Sequence, residues 1–482
     1  MGFQLTYDIW KYQSFKKLFF AGFLTSISRW FEFLTFSIIS WELTGNAAIV
    51  GYIMTARFVA LAITGIFFSV NGRLYSGQKI MILFTGGCGI FCSLVFISFY
   101  LNANIQLVGL FIISSLSGSL WSVDFSFRRR MLGDSLPEYL IPTGVSIDVL
   151  STHATRLIGP FLGGIILTYF YSQFIFLFLS FLYFLSTYLI FYEKDHNKNS
   201  KKTNSYLGSL KDVLFEISKK PNLINVISLT PLFNIFGLPF LSLIGILIIE
   251  KFSFNAFDVG LIVSLEGLGA LIGGIVISAF PPKNKLVPFC VSLLLLFVFI
   301  CFISLNNNSL LLIFLLFFAG FVTSTYSALQ SSIVYLSTTP KLRSSTFSFL
   351  TIAIGSGALG SFNIAFMANF YTTEYLTLIM GLEGIIFFLL LVVSLNMKFT
   401  LSKQVKDAIN NNKPVLALES TIISSGMPFP QNIQFQNKAE KIYIAGGEPF
   451  YMKAVQKFCQ QLSQHRRRFP VGYRHLRPQS RR

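Results

Sequence analysis

EKDHNKNSKKTNSYLGSLKDVLFEISKKPN, Glu193 to Asn222, is the longest water-compatible run in the first 400 residues. Almost everything around it is apolar. Six segments precede it, near 17–41, 47–70, 79–101, 105–125, 141–168 and 172–192. Six follow, near 223–249, 256–280, 286–305, 309–335, 345–370 and 374–397. A bilayer-crossing helix needs about 20 mostly apolar residues, which each segment supplies. The polar stretch itself is basic, with Lys194, Lys198, Lys201, Lys202, Lys211, Lys219 and Lys220. Lysine-rich loops stay in the cytoplasm, so this one sets the orientation of both halves. The expected fold is an all-α membrane protein of about 12 transmembrane helices in two six-helix bundles. Residues 1–192 form the first bundle, 193–222 a cytoplasmic basic linker and 223–398 the second bundle. Residues 399–482 form a mostly disordered cytoplasmic tail.

Composition supports the membrane reading. Only 12% of the 482 residues are charged, against 53% apolar, and a soluble domain carries about 25% charged residues. The net charge of +18 is not a nucleic-acid footprint, because the Lys and Arg alternate between loops. Expected cytoplasmic segments hold Lys11, Lys16 and Lys17; Arg73 and Lys79; Arg128, Arg129 and Arg130; Lys283 and Lys285; Lys341 and Arg343; and Lys398, Lys403 and Lys406. Lys251 is the single basic residue in the expected outer segments. The asymmetry and the even number of spans place both termini in the cytoplasm. Met1 to Phe15 lacks the apolar core of a cleavable signal, so the first span is the expected targeting element. The expected location is the bacterial plasma (inner) membrane.

The five cysteines (Cys88, Cys92, Cys290, Cys301, Cys459) give neither a disulfide framework nor a zinc pattern. The Gly-rich LGALIGG (268–274) and IGSGALG (354–360) lie inside apolar spans, where small residues let helices approach closely. No cofactor or metal site is expected. Two six-span halves around a long cytoplasmic linker, without an ATP-binding loop, suit a secondary transporter driven by a gradient. The expected partners are the lipid bilayer, a small-molecule substrate and protons, not nucleic acid.

Two passages carry a family resemblance. SISRWFEFLTFSIISWELTGNAAIVGYIMTARFVA (26–60) resembles the opening of major facilitator superfamily transporters. FRRRMLGDSLPEYLIPTGVSIDVLSTHATRLIGPFLGGIIL (127–167) resembles the fourth-to-fifth helix passage of the drug and siderophore exporter branch that includes the enterobactin exporter. That passage ends in R-x-I/L-G-P-x-x-G-G, matched by Arg156, Gly159, Pro160, Gly163 and Gly164. The resemblance covers about 10–398 and implies proton-coupled export of an amphipathic compound or siderophore. The alternatives are a nucleoside-type transporter on the same fold and a non-transporting membrane scaffold. NGRLYSGQK (71–79) departs from the family's G-x-x-x-D-R-x-G-R-R/K loop: Arg73 and Lys79 remain, but Gly72 replaces the aspartate. The cytoplasmic gate is expected from Arg73, Lys79, Asp124, Arg128 and Arg343.

Charges inside a membrane are costly and are functional candidates by default. The transport candidates are Arg29, Glu32, Arg57, Arg156, Glu266 and Asn234. Arg29 and Glu32 are three apart and share a helix face. Glu32 and Glu266 are the expected proton carriers, with Arg156 either binding an anionic substrate or pairing with Glu32. Permanent salt bridges to Arg29, Arg57 or Arg156 are the competing reading for both acids. Asp124 suits an ion pair with the basic run beside it, and Glu383 a contact between helices. FNIFGLPF (233–240) is expected to break the seventh span around Asn234, Gly237 and Pro239. His153 is a weaker proton-relay candidate, and Trp30, Trp41 and Trp121 are expected to pack or anchor.

Beyond Asn412 the character changes. KPVLALESTIISSGMPFPQN (413–432) resembles the N-terminal signature of pseudouridine-5′-phosphate glycosidases. That resemblance implies Glu419 as proton donor, but the family's S-H-G is Ser424-Ser425-Gly426, without its histidine. It fades after about Lys441. About seventy residues cannot build that enzyme's core. The tail is therefore expected to be a non-catalytic fragment, formed where a transporter frame runs into a neighbouring glycosidase gene, with a glycosidase fusion enzyme as the alternative.

Overall fold

The computed structural model describes residues 7–71, 75–100, 103–193, 215, 217–338, 346, 350 and 352–395. Contacts divide the chain after Met397, and every described residue lies in the first unit. The expected tail, Glu419 within it, lies outside the described residues, as do Arg73, Arg343 and most of the basic linker.

Long apolar segments leave the backbone only one way to satisfy its polar groups in lipid, which is helix. All regular structure among the described residues is helical. In chain order, α1 is Gln13–Thr44, α2 Ala47–Asn71, α3 Gly77–Ser98 and α4 Ala103–Val123. A π-helical turn, Asp124–Arg128, leads directly into α5, Arg129–Asp134. The first half closes with α6, Ile141–Tyr169, and α7, Phe174–Phe191. After the basic stretch come α8, Pro221–Leu232, a second π turn, Phe233–Gly237, and α9, Phe240–Phe252. They are followed by α10, Ala256–Ala279, α11, Leu286–Leu305, α12, Ser309–Ser337, α13, Gly357–Met367, and α14, Thr373–Ser394.

Among the described residues, nine helical stretches are long and apolar enough to cross a membrane. They match nine of the twelve expected segments. Two more expected segments are the long helices α1 and α6, whose buried charges dilute their apolar character. The twelfth is the shorter apolar stretch Ile352–Met367. One boundary differs from expectation. The fourth span does not end in a basic loop near residue 125, because helix continues from Ile105 to Asp134. Arg128, expected at a cytoplasmic gate loop, is therefore a buried helical residue. The seventh span is interrupted where FNIFGLPF predicts, by the π turn before Leu238 and Pro239.

Cap residues punctuate the connections. Gly45 closes α1 at φ 62°, with its N–H on Trp41 O at 2.7 Å, a backbone region glycine enters without penalty. Asn308 Oδ1 accepts from Leu310 N and Leu311 N to start α12, satisfying helix-end donors.

Apolar packing forms two main cores. One gathers buried residues between Ala21 and Ile190, the other between Ile217 and Phe388. They interlock through α1 and the seventh span, since Leu34 and Ile38 join the second core and Leu238 the first. Outward faces stay apolar too, with Ile63, Leu83, Phe181, Phe302 and Phe314 exposed. Such belts on helix after helix would aggregate in water and suit acyl chains.

Candidate functional site

Three buried charge systems form along α1 and its neighbours. The first lies within the first half. Glu32 on α1 meets Arg57 Nη2 on α2 at 2.8 Å, both side chains fully buried. Tyr183 OH on α7 donates to Glu32 Oε1 at 2.6 Å, and Ser117 Oγ on α4 donates to Oε2. Arg57 Nε donates to Ser114 Oγ at 3.3 Å. Its guanidinium lies 5.1 Å from the Phe33 ring, a favourable cation–π placement. Four helices are thus tied to one carboxylate, and within this system Arg57 Nη1 finds no partner among the described residues.

The second system lies where α1, the first π turn, α5 and α6 meet. Arg128 is held by Asp124 and by Asp148, at 2.7 Å from Nη1 and 3.3 Å from Nη2. Arg29 approaches Asp124 at 3.7 Å and covers the Trp121 ring at 4.7 Å. Arg129 reaches Asp148 at 3.7 Å. Gly22 makes room for this network, because a side chain there would collide with the Arg128 guanidinium.

The third system spans the two halves. Arg156 on α6 holds Glu266 on α10 through two hydrogen bonds, Nε to Oε2 at 2.6 Å and Nη2 to Oε1. The Arg156 guanidinium stands 4.6 Å from the Trp30 ring centroid. Both charged side chains are almost wholly buried. Trp30, Phe33, Leu34, Arg156, Pro160, Leu241, Val263 and Glu266 line a cavity of about 10 Å³, close to the room one water needs. Trp30 Nε1, also buried, has no hydrogen-bond partner among the described residues.

Close helix approach brings this pair together. A Cβ on Gly267 would run into the Arg156–Leu157 backbone, and one on Gly164 would sit 2.7 Å from Ala256 O and 2.9 Å from Gly260 Cα. Small residues on both sides let α6 and α10 pack along their lengths. A second contact between halves joins α2 and α13, where a Cβ on Gly51 would lie 2.7 Å from Ala365 N. Within the first half, Gly159 faces Phe31 and Trp30, and Gly163 faces Thr35.

These positions correct two expected pairings. Arg29 does not meet Glu32 despite their three-residue spacing; each turns to another helix, to Asp124 and to Arg57. Nor does Arg156 pair with Glu32, which is already closed by Arg57, Ser117 and Tyr183. Asn234 is buried beside neither acid, and its amide donates to Thr230 O on its own helix at 2.9 Å. Lys79 is exposed near the start of α3. Glu383 accepts from Asn363 at 3.0 Å, between α14 and α13. His153 lies 3.3 Å from Ser324 on α12. Asp148, Ser117 and Tyr183 are site residues that sequence reasoning misses. Of these, Asp148 alone carries a signal, an acid eight residues before Arg156 in the same span.

Among the described residues, nine helices long and apolar enough to cross a membrane, with buried charge pairs between them, define a polytopic membrane-protein fold. The chain belongs to the Major Facilitator Superfamily, whose model matches residues 18–362. Solved structures similar to it include a POT family transporter in complex with 5-aminolevulinic acid, at TM-score 0.63 and 15% identity, covering 80% of this chain and 96% of that one. A mutant form of the nucleoside transporter NupG is similar at TM-score 0.60 and 13% identity, covering 80% and 100%. At such identities the likeness concerns the fold.

Residues 404–454 match the Indigoidine synthase A like protein family. Over 41 residues the chain is 61% identical to pseudouridine-5′-phosphate glycosidase of Escherichia coli (strain K12), which is 8% of this chain and 13% of that protein. It is 50% identical over 46 residues to the Staphylococcus aureus (strain MW2) enzyme, 10% and 15% respectively. The chain thus spans less than a fifth of the glycosidases it matches.

Proposed function

We propose that the protein is a gradient-driven small-molecule transporter, working by alternating access between the halves before and after the basic linker. The observation that carries this reading is the Arg156–Glu266 pair, which joins the halves through one buried ion pair between α6 and α10. When two halves rock about a central site, a contact across them must break and re-form. A buried ion pair suits that role, because the intact pair contributes little net stability while leaving one partner unpaired is costly. Protonation of Glu266 would neutralise one partner and release the other, so protons are the proposed coupling ion. The Arg29, Asp124, Arg128 and Asp148 network, together with Lys79 and with Arg73 and Arg343 outside the described residues, is the proposed cytoplasmic gate.

The resemblance to drug and siderophore exporters supports export of an amphipathic compound from a bacterial inner membrane, with both termini cytoplasmic. The glycosidase-like segment favours a second reading, transport of pseudouridine or a related nucleoside. The tail itself is proposed to be non-catalytic. The test is flux in vesicles holding the full chain, using labelled pseudouridine and the amphipathic cation ethidium, with and without a proton gradient. Gradient-dependent movement of either compound, lost on Glu266→Gln, is the expected result. Movement that is insensitive to the gradient and to that substitution would overturn proton coupling through this pair.

A further inference from the structure

We propose that Arg156, with Trp30 Nε1 beside it, is a binding point for the carboxylate of an organic anion. Glu266 is the internal stand-in that occupies Arg156 while the substrate is absent. The inference rests on the transport reading and names the substrate class for its central site.

Three observations converge on this point. Arg156 presents Nε and Nη2 side by side to two oxygens of one carboxylate, the fork geometry by which arginine recognises carboxylates. Trp30 contributes a second donor, since its buried Nε1 finds no acceptor among the described residues, and a buried donor left unmade is costly. Both residues border the same cavity, whose other walls are Phe33, Leu34, Pro160, Leu241 and Val263. The free volume of about 10 Å³ admits roughly one water. An organic carboxylate therefore enters only by displacing the Glu266 carboxylate from Arg156. Once the halves part to make room, its apolar body meets the aromatic and aliphatic walls, while Trp30 Nε1 and the Arg156 fork take its oxygens.

Displacement leaves Glu266 buried without its cation. Few other charges face it. On α6, His153 lies one turn before Arg156 and is engaged by Ser324. On α1, Arg29 and Glu32 are committed to Asp124 and Arg57. The remaining ionisable side chains on the helices packed against α10 are Asp148, held by Arg128, and Tyr169 on α6, Tyr326 and Tyr335 on α12, and Glu250 and Lys251 at the far end of α9, with Asp258 two turns away on α10 itself. A carboxylate so placed takes a proton from water at its oxygen, because an unpaired buried charge is far more costly than a neutral acid. The balance closes: the substrate's negative charge replaces that of Glu266 opposite Arg156, one proton is bound, and the site stays neutral. Anion and proton load together from the same side of the membrane.

The test is a binding titration of the full chain in nanodiscs with benzoate and its neutral analogue benzamide, at about pH 7.5 and about pH 5.5, where benzoate is anionic throughout. Benzoate is expected to bind and benzamide not. Its apparent affinity should tighten by up to roughly tenfold per unit of falling pH while Glu266 titrates. Glu266→Gln should bind benzoate tightly at both pH values, and adding Arg156→Gln should abolish binding. Equal binding of benzamide, absence of benzoate binding by the folded wild-type chain, or a pH dependence surviving in Glu266→Gln would each overturn the proposal. The wild-type comparison needs no variant to fold. Pseudouridine or ethidium flux without benzoate binding would sink the anion site alone. Benzoate binding with no gradient-dependent flux of benzoate, pseudouridine or ethidium would sink the transport reading alone.

Discussion

Glu32 accepts from Arg57, Tyr183 and Ser117 with no exposure to solvent, which makes it the most constrained acid described. Truncating it to leucine strands a buried guanidinium and two hydroxyl donors. Breaking a buried pair from one side costs about 3–5 kcal/mol, whereas replacing both partners by apolar groups costs much less. Glu32→Leu should therefore lower the melting temperature in detergent steeply, and Glu32→Leu with Arg57→Leu should recover a large part of the loss. The Lys251–Glu374 pair, at 2.7 Å with Glu374 nearly half exposed, should behave differently: Glu374→Gln should change stability by less than about 1 kcal/mol. Which residues carry charge in the membrane is readable from the sequence, because ionisable groups stand out in apolar spans. Whom they meet is not. Arg29 and Glu32 share a helix face, yet each side chain is claimed by a different helix, and that choice depends on how α1 is rotated against α2, α4 and α6. Ser117 and Tyr183 look like ordinary span residues until the packing places them on Glu32.

Helices of this length announce themselves by apolar runs, so the spans are legible and their ends less so. The passage from α4 into α5 reads as a loop in the sequence because Arg128–Arg130 looks too polar for a buried helix. Asp124 and Asp148 neutralise Arg128 inside the bundle, and the helix continues through a π turn. Glycines divide by environment. Gly45 adopts φ 62° with open space around it, so Gly45→Ala should cost about 1–2 kcal/mol of backbone strain and no more. Gly118 has ordinary helical neighbours, but a Cβ there would strike the Arg57 carbonyl. Gly118→Ala must push α4 from α2 and disturb the Glu32 network. It should reduce both folded yield and melting temperature more than Gly45→Ala, a ranking that size-exclusion profiles and melts of the two variants would check.

At the scale of the molecule, two cores interlock through α1 and the broken seventh span, and Arg156–Glu266 bridges the halves. The basic stretch at 193–222 is readable because charge and length act locally, and the two cores gather mostly before and after it. The contact across the halves is not, because it depends on the register of α6 against α10. The proposed division of labour puts all transport within residues 1–397. Ending the chain after Met397 should preserve flux in vesicles within roughly twofold, since no transport residue named above lies beyond it. The full chain supplied with pseudouridine 5′-phosphate should release no uracil. Uracil release lost on Glu419→Gln would instead give the tail an activity of its own.

The central claim is that the halves move and that Arg156–Glu266 biases the movement. It is tested most directly by distances between spin labels at the exposed positions Glu42→Cys and Tyr371→Cys, one in each half, with the native cysteines replaced. Two distance populations are predicted, with the longer gaining weight at low pH and in Glu266→Gln. A single distance, unmoved by pH and by that substitution, would contradict the account.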